Sequence, residues 1–198
     1  MAHGASGRPR TKPAEERRDD LIRSAERLFL EKGIEQTTIE DITQGAAVSK
    51  GALYLHFSSK ADVLEAMRVR FVQDLLNSIV EEVGREDDGD WNAKLRAWAK
   101  ACTMGYLNAT RLHNLVFAIS PPPTREGLTS NILIDHLAEL LTAGNRENAW
   151  SLATPAFTAV FLFNALHGVV NQDSIADSET DRLRLLHDIE DHFRRLVG

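Results

Sequence analysis

Apolar residues recur along this chain at the three- and four-residue spacing that turns one face of a helix inward, with polar cap residues between the runs. The first predicted helix carries Leu21, Ile22, Ala25, Leu28 and Phe29 on one face. Pro13 suits its first position, Glu15 and Glu16 suit the positive end of its dipole, and Gly33 ends it. A second short helix turns Ile39, Ile42 and Ala46 inward behind Thr38, with Asp41 three residues on in a capping-box arrangement. Ser49 caps a third, from Lys50 through His56. Ser59 with Asp62 opens a fourth, whose stripe of Leu64, Met67, Phe71, Leu75 and Ile79 persists to Gly84 and the acidic turn beyond it. At 1.5 Å per residue that helix reaches roughly 35 Å, long enough to join the short helices before it to the rest of the chain.

The remainder is helical too. Trp91, Leu95, Trp98, Cys102 and Tyr106 stripe a fifth helix, and a short sixth around Leu112 to Ile119 ends against Pro121, Pro122 and Pro123, which cannot extend it. A seventh is expected from about Leu128 to Ala143, closed by Gly144 and Asn145. Thr154 and Pro155 open an eighth that is apolar nearly all round and should therefore be enclosed on every side. In the ninth, capped by Ser178 and Asp181, Leu183, Leu185, Leu186, Ile189, Phe193, Leu196 and Val197 fall in one arc at 100° per residue. That arc is wider than one neighbouring helix needs, so the last two helices should share their surface between the chain's own core and a second copy. Phe157, Phe161, Leu186, Ile189, Phe193 and Leu196 are the candidate dimer residues.

The fold expected is all-α with about nine helices. Residues 1–12 form a basic flexible arm, residues 13–60 a three-helix head of helix-turn-helix type, and residues 61–198 an antiparallel helical body. With 198 residues, 43% hydrophobic and 26% charged, the chain can bury a substantial core. No apolar run approaches the ~20 residues that cross a bilayer, and the basic start lacks an apolar leader segment. The lone Cys102 excludes an intrachain disulfide and zinc-ligand spacing, so a cytoplasmic location without cofactor or metal is the economical expectation. His187, Asp188, Asp191 and His192 are metal-capable, but the wheel turns most of them to solvent.

The net charge of -6 argues against nucleic acid only until it is divided along the chain. Residues 1–60 carry ten Lys and Arg against nine Asp and Glu, leaving thirteen against twenty in residues 61–198. Arg8, Arg10 and Lys12 stand together with no acid among them, either as a minor-groove arm or as a solvated tail.

Two short helices joined by a tight turn set one helix crosswise over another, the arrangement that reads a major groove. The chemistry of the segment fits that use. Tyr54 and His56 offer polar tips on apolar bodies, and Lys60 offers a compact charge. Thr38 and Ser49 stand at helix starts, where hydroxyls and free N–H groups meet phosphate. Lys50 can donate to guanine O6 and N7, and Gln44 can pair with adenine. Gly51 permits close backbone approach, Ala52 and Leu55 suit a thymine methyl, and Leu53 and Phe57 plug the head's core.

The order and spacing of Gly33, Thr37, Thr38, Asp41, Ile42, Ala46, Val48, Ser49, Gly51, Leu53, Tyr54, His56, Phe57 and Lys60 resemble the TetR family of bacterial transcriptional regulators. The resemblance covers about a quarter of the chain. It implies a homodimer whose recognition helices enter successive major grooves of a palindromic operator, with repression relieved by a small molecule held in the body. One position departs from the pattern. Ala47 stands where the family usually has glycine, so a positive φ there would cost about 1 kcal/mol.

In the body, Trp98, Phe117, Phe161 and Phe163 are candidates to line an effector pocket, with His136, Asn164 and His167 as its polar groups. Aromatics at helical spacing are more often plain core, and Cys102 in the Trp98 stripe reads as a buried inert thiol. Two other classes of function compete: an enzyme using the helical body, which no G-x-S-x-G, P-loop, Rossmann or H-E-x-x-H signature supports, and a ligand-independent architectural DNA-binding protein.

Overall fold

A computed structural model describes residues 13–117, 131–172 and 178–198. The basic arm with Arg8, Arg10 and Lys12, the Pro121 to Pro123 stop and the expected start of the seventh helix lie outside the described residues. Among the described residues there are nine helices and no strand. In chain order they are α1 (Ala14–Lys32), α2 (Ile39–Gly45), α3 (Lys50–Tyr54), α4 (Lys60–Gly84), α5 (Trp91–Asn108), α6 (Thr110–Phe117), α7 (Ile132–Arg146), α8 (Pro155–Val170) and α9 (Glu179–Val197). They form two compact units divided between Met67 and Arg68, so the first two turns of α4 belong to the head.

The head is built by local caps and a small apolar core. Leu21, Ile22, Ala25 and Phe29 of α1 are buried, as are Ile42, Leu53, Phe57, Val63 and Met67. Gly33 takes φ 87° and its N–H closes α1 on Phe29 O at 3.0 Å, a conformation glycine enters without steric penalty. At Thr38 both halves of the capping box are formed: Asp41 N–H donates to Oγ1 at 3.1 Å, and Thr38 N–H donates to Asp41 Oδ2 at 2.8 Å. α1 and α2 approach closely because residue 45 has no side chain. A Cβ there would lie 2.3 Å from Ser24 Oγ, which donates to Ile42 O at 2.9 Å.

The turn from α2 to α3 is a Schellman motif. Val48 N–H donates to Thr43 O at 3.0 Å and Ala47 N–H to Gln44 O at 3.1 Å, with Ala47 at φ 54°. The residue that departs from the family pattern thus holds the left-handed conformation that the usual glycine would hold. Ser49 Oγ then accepts from Ala52 N–H at 3.1 Å to start α3, which ends at Tyr54, two residues earlier than its sequence suggested. Ser59 repeats the device for α4, accepting from Asp62 N–H at 3.2 Å.

In the body, α5 packs against α7, α8 and α9, and α7 pairs with α8. The core runs from Phe71, Leu75 and Ile79 of α4 through Trp98 and Cys102 to Leu137, Leu141, Leu162, Leu166 and Phe193. One expectation is corrected here. Gly144 does not close α7, which continues to Arg146 and ends in its own Schellman motif, with Asn148 at φ 60° and Ala149 N–H on Gly144 O at 2.9 Å. The glycine instead seats Trp150, since a Cβ on it would lie 2.2 Å from the ring. The outer face of α8 is open in the single chain, where Phe157 and Phe161 are 68% and 52% exposed.

Candidate nucleic-acid interface

The α2–turn–α3 segment presents an outward surface that the head's own packing does not use. Leu53 and Phe57 face inward as expected, while Tyr54 is 51% exposed and Leu55 80% exposed. A leucine that open, beside a half-exposed tyrosine at the end of a short helix, gains nothing from the fold of the free head. Gln44, Ser49, Lys50 and Gly51 are exposed, and Ala52 and His56 are half-buried. Gly51 has a further property. A Cβ at this position would meet nothing nearer than Ser49 Oγ at 3.9 Å, so the fold itself does not require glycine there.

The charged groups are arranged less simply than their sequence suggests. Lys60 Nζ donates to Ile34 O at 2.7 Å and Thr37 O at 3.0 Å, so its ammonium ties the start of α4 to the α1–α2 connection. Lys32 Nζ lies 2.7 Å from Asp41 Oδ2. Together with the Thr38 N–H, that ammonium holds the Asp41 carboxyl down to about 2, which keeps the capping box ionised. Lys50 at the start of α3 is paired with Glu40 of α2. Each partner stabilises the charge of the other, raising the Lys50 pKa and lowering that of Glu40. Arg23 pairs with Asp20, Arg27 with Glu31, and Arg18 stands over the Phe57 ring at 5.4 Å. Residues 13–67 carry seven Lys and Arg against eleven Asp and Glu, so the described head is itself acidic. The cationic excess of the amino-terminal region sits in the arm.

The body divides its candidates among three places. Trp98 is fully buried, donates from Nε1 to His136 Nδ1 at 3.1 Å and stacks on Phe193 at 6.2 Å. The buried Trp98 indole N–H is therefore satisfied by the half-buried His136, whose pKa burial lowers. Phe117 and His167 belong to a separate aromatic cluster that adds Phe71, Tyr106, His113 and Phe163. Here His113 stacks on Phe117 at 4.6 Å, His167 stacks on Phe163 at 5.8 Å, and the two imidazoles approach Nε2 to Nε2 at 3.3 Å. One ring must donate and the other accept. Burial, then the neighbouring His113, pulls His167 down to about 4. His113 was missed on the sequence. Its signal was a polar ring three residues before Val116, both buried on the short α6.

The third place is the outer face of α8. Phe157, Val160, Phe161, Asn164 and Ala165 line a surface depression of about 320 Å³, and the Asn164 amide donates to Val160 O at 2.8 Å. Phe161 and Asn164 thus lie on this face and not in the His113–His167 cluster. On α9, Leu196 is 47% and Leu183 59% exposed. Leu186, Ile189 and Phe193, grouped with them on the sequence, are already buried within the chain, because the α9 arc turns toward α5. Cys102 is fully buried and burial pushes its thiol pKa up. Among the described residues no three His, Cys, Asp or Glu side chains are grouped to hold a metal, and no helix is long and apolar enough to cross a membrane.

Residues 21–67 match the family described as “Bacterial regulatory proteins, tetR family”. The chain is 44% identical over 54 residues to the HTH-type transcriptional regulator TtgR of Pseudomonas putida, covering 27% of this chain and 26% of that one. It is 32% identical over 98 residues to the HTH-type transcriptional activator FasR of Mycolicibacterium smegmatis, covering 50% of this chain and 44% of that one. These curated relatives are matched over less than half of their length. A TetR-family transcriptional regulator from Pectobacterium atrosepticum shares the fold with a TM-score of 0.68 at 22% identity, covering 96% of both chains.

Proposed function

Because the chain belongs to the TetR family of bacterial regulatory proteins, we propose that it is a homodimeric repressor, released from a palindromic operator by a small molecule. The observation that carries the reading is the outward surface of α3, where Tyr54 and Leu55 stand exposed beside a glycine the fold does not need. Tyr54 contacts phosphate and fixes register, as do Thr38, Ser49 and His56 from the helix starts and the end of the segment. Lys50 and Gln44 read base edges, with Ala52 and Leu55 against thymine methyls. Lys60 acts indirectly, through the carbonyls it holds. The basic arm, outside the described residues, adds minor-groove contact.

Dimerisation is proposed through Phe157, Phe161 and Leu196, since exposed large apolar groups on the last two helices mark an interface. The effector is proposed to act near the aromatic cluster of Phe117 and His167, in the unit that α4 connects covalently to the head. Two recognition helices must span about 34 Å on DNA, so a change in α4 that alters their separation lowers affinity. A coupling of about 1–3 kcal/mol would change it 5–150-fold.

The test is fluorescence anisotropy on duplexes enriched by the protein from a randomised pool. Tyr54→Ala should weaken binding to all sequences alike and leave the salt slope unchanged, because a neutral phenol displaces no counterion, whereas Lys50→Ala should change the preferred half-site. Indifference of both variants to DNA would end the assignment. In sedimentation, Phe161→Arg should yield monomers, and an unchanged dimer would remove α8 from the interface.

A further inference from the structure

The pairing of Lys50 with Glu40 gives the head a property beyond its ability to bind DNA. Glu40 is the second residue of α2 and Lys50 the first of α3, so their contact closes across the Schellman turn and links the two helices of the motif. Both side chains are more than half exposed, 64% and 52%, so the pair contributes little to stability. Its effect falls instead on the surface offered to a duplex. The side chain best suited to read guanine carries a carboxylate before any DNA arrives, and the surrounding head has more acids than bases.

We propose, resting on the DNA-binding reading above, that Glu40 is a specificity-determining residue which acts through Lys50. A phosphate met at random exchanges one anionic partner of Lys50 for another and leaves Glu40 unpaired beside the polyanion. Only a site presenting guanine O6 and N7 to the ammonium replaces the carboxylate with directed acceptors. Glu40 therefore lowers affinity for arbitrary sequence more than for the correct one, which is how a repulsive element creates discrimination. The directions of the two pKa shifts agree with an ion pair populated at neutral pH.

The experiment uses the full chain, a duplex enriched from a randomised pool by the parent protein, and a mixed-sequence duplex of equal length. Glu40→Gln keeps the helix propensity and removes the charge. It should strengthen binding to the mixed-sequence duplex and steepen its log–log salt slope by about 0.9, the release of one further counterion. Between 50 and 200 mM salt that slope corresponds to about a 3.5-fold additional loss of affinity. Binding to the enriched duplex should change less, so the ratio between the two narrows. In a Lys50→Met background Glu40→Gln should leave the slope unchanged. An equal gain on both duplexes, or a slope change that survives without Lys50, would overturn the proposal in favour of simple repulsion. Failure of the parent to enrich any duplex would instead remove the DNA-binding reading. Independently of DNA, carboxyl NMR should show Glu40 titrating below the ordinary glutamate range and returning to it in Lys50→Met. A Glu40 indifferent to Lys50 would mean the pair does not form in solution.

Discussion

Replacing Ala47 by glycine relieves one backbone strain and disturbs little else. Ala47 holds φ 54° as the left-handed residue of the α2–α3 turn, with its N–H on Gln44 O and the next N–H on Thr43 O. A side-chain-bearing residue in that region costs about 1–2 kcal/mol. Glycine removes the cost but gains freedom in the unfolded chain, which offsets about 0.4–1 kcal/mol of it. The methyl group is exposed, so its loss opens no cavity. Ala47→Gly should therefore stabilise the head by about 0.5–1 kcal/mol. All three tryptophans lie at positions 91, 98 and 150, outside the head, so indole fluorescence reports the body. Amide hydrogen exchange at Ile42 and Leu53, both fully buried in the head, is the appropriate measurement. Slowing by about two- to fivefold is the expected result, and Ala47→Val, β-branched at the same φ, should accelerate exchange. A glycine variant that exchanges as fast as the parent would mean that the turn does not hold the left-handed geometry.

Other substitutions probe the remaining features. Gly144→Ala should destabilise the body by about 2–4 kcal/mol, because the Trp150 ring must move and abandon its 2.8 Å bond to Leu141 O, while Gly84→Ala, with nothing within 4 Å, should be neutral or slightly stabilising in urea melts. Gly51→Ala should leave the head's melting unchanged yet weaken DNA binding at least tenfold. Equal affinity would show that no duplex approaches that backbone. His167 has its pKa lowered to about 4 in the fold against about 6.5 unfolded, so between those values the unfolded chain binds more protons. Its contribution, up to about 3 kcal/mol, is present above pH 6.5 and lost as pH falls toward 4. His167→Gln should flatten that part of the stability profile, and a profile as steep as the parent's would place the proton elsewhere.

The range of each interaction decides how much of it the sequence reveals. The caps at Thr38, Ser49 and Ser59 join groups three residues apart, so their chemistry is written in adjacent letters. The left-handed turn at Ala47 was legible because a motif with fixed spacing demanded it. Gly144 was misread as a terminator because the ring that needs its bareness comes from beyond the helix end. The pairing of His113 with His167 spans 54 residues, and periodicity carries no information about which buried faces meet. That Phe157 and Phe161 stay open in the single chain agrees with their place among the candidate dimer residues, while Leu186, Ile189 and Phe193 of the same group are buried, because periodicity does not say which part of a wide arc the chain itself covers. Composition misled about the head's charge, since the cations that tipped the balance lie in the arm, while Lys32, Lys50 and Lys60 in the fold already have acidic or carbonyl partners.

One consequence of the Lys60 contacts concerns how force travels through the head. Its ammonium grips carbonyls 26 and 23 residues earlier in the chain, on the stretch that delivers Thr38 to the start of α2. A tug on the beginning of α4 is thereby passed to the neighbouring loop by a second route besides the peptide backbone. Cutting that tether with Lys60→Met would remove that second route, so under the switching mechanism proposed above a displacement of α4 would reach α3 less directly.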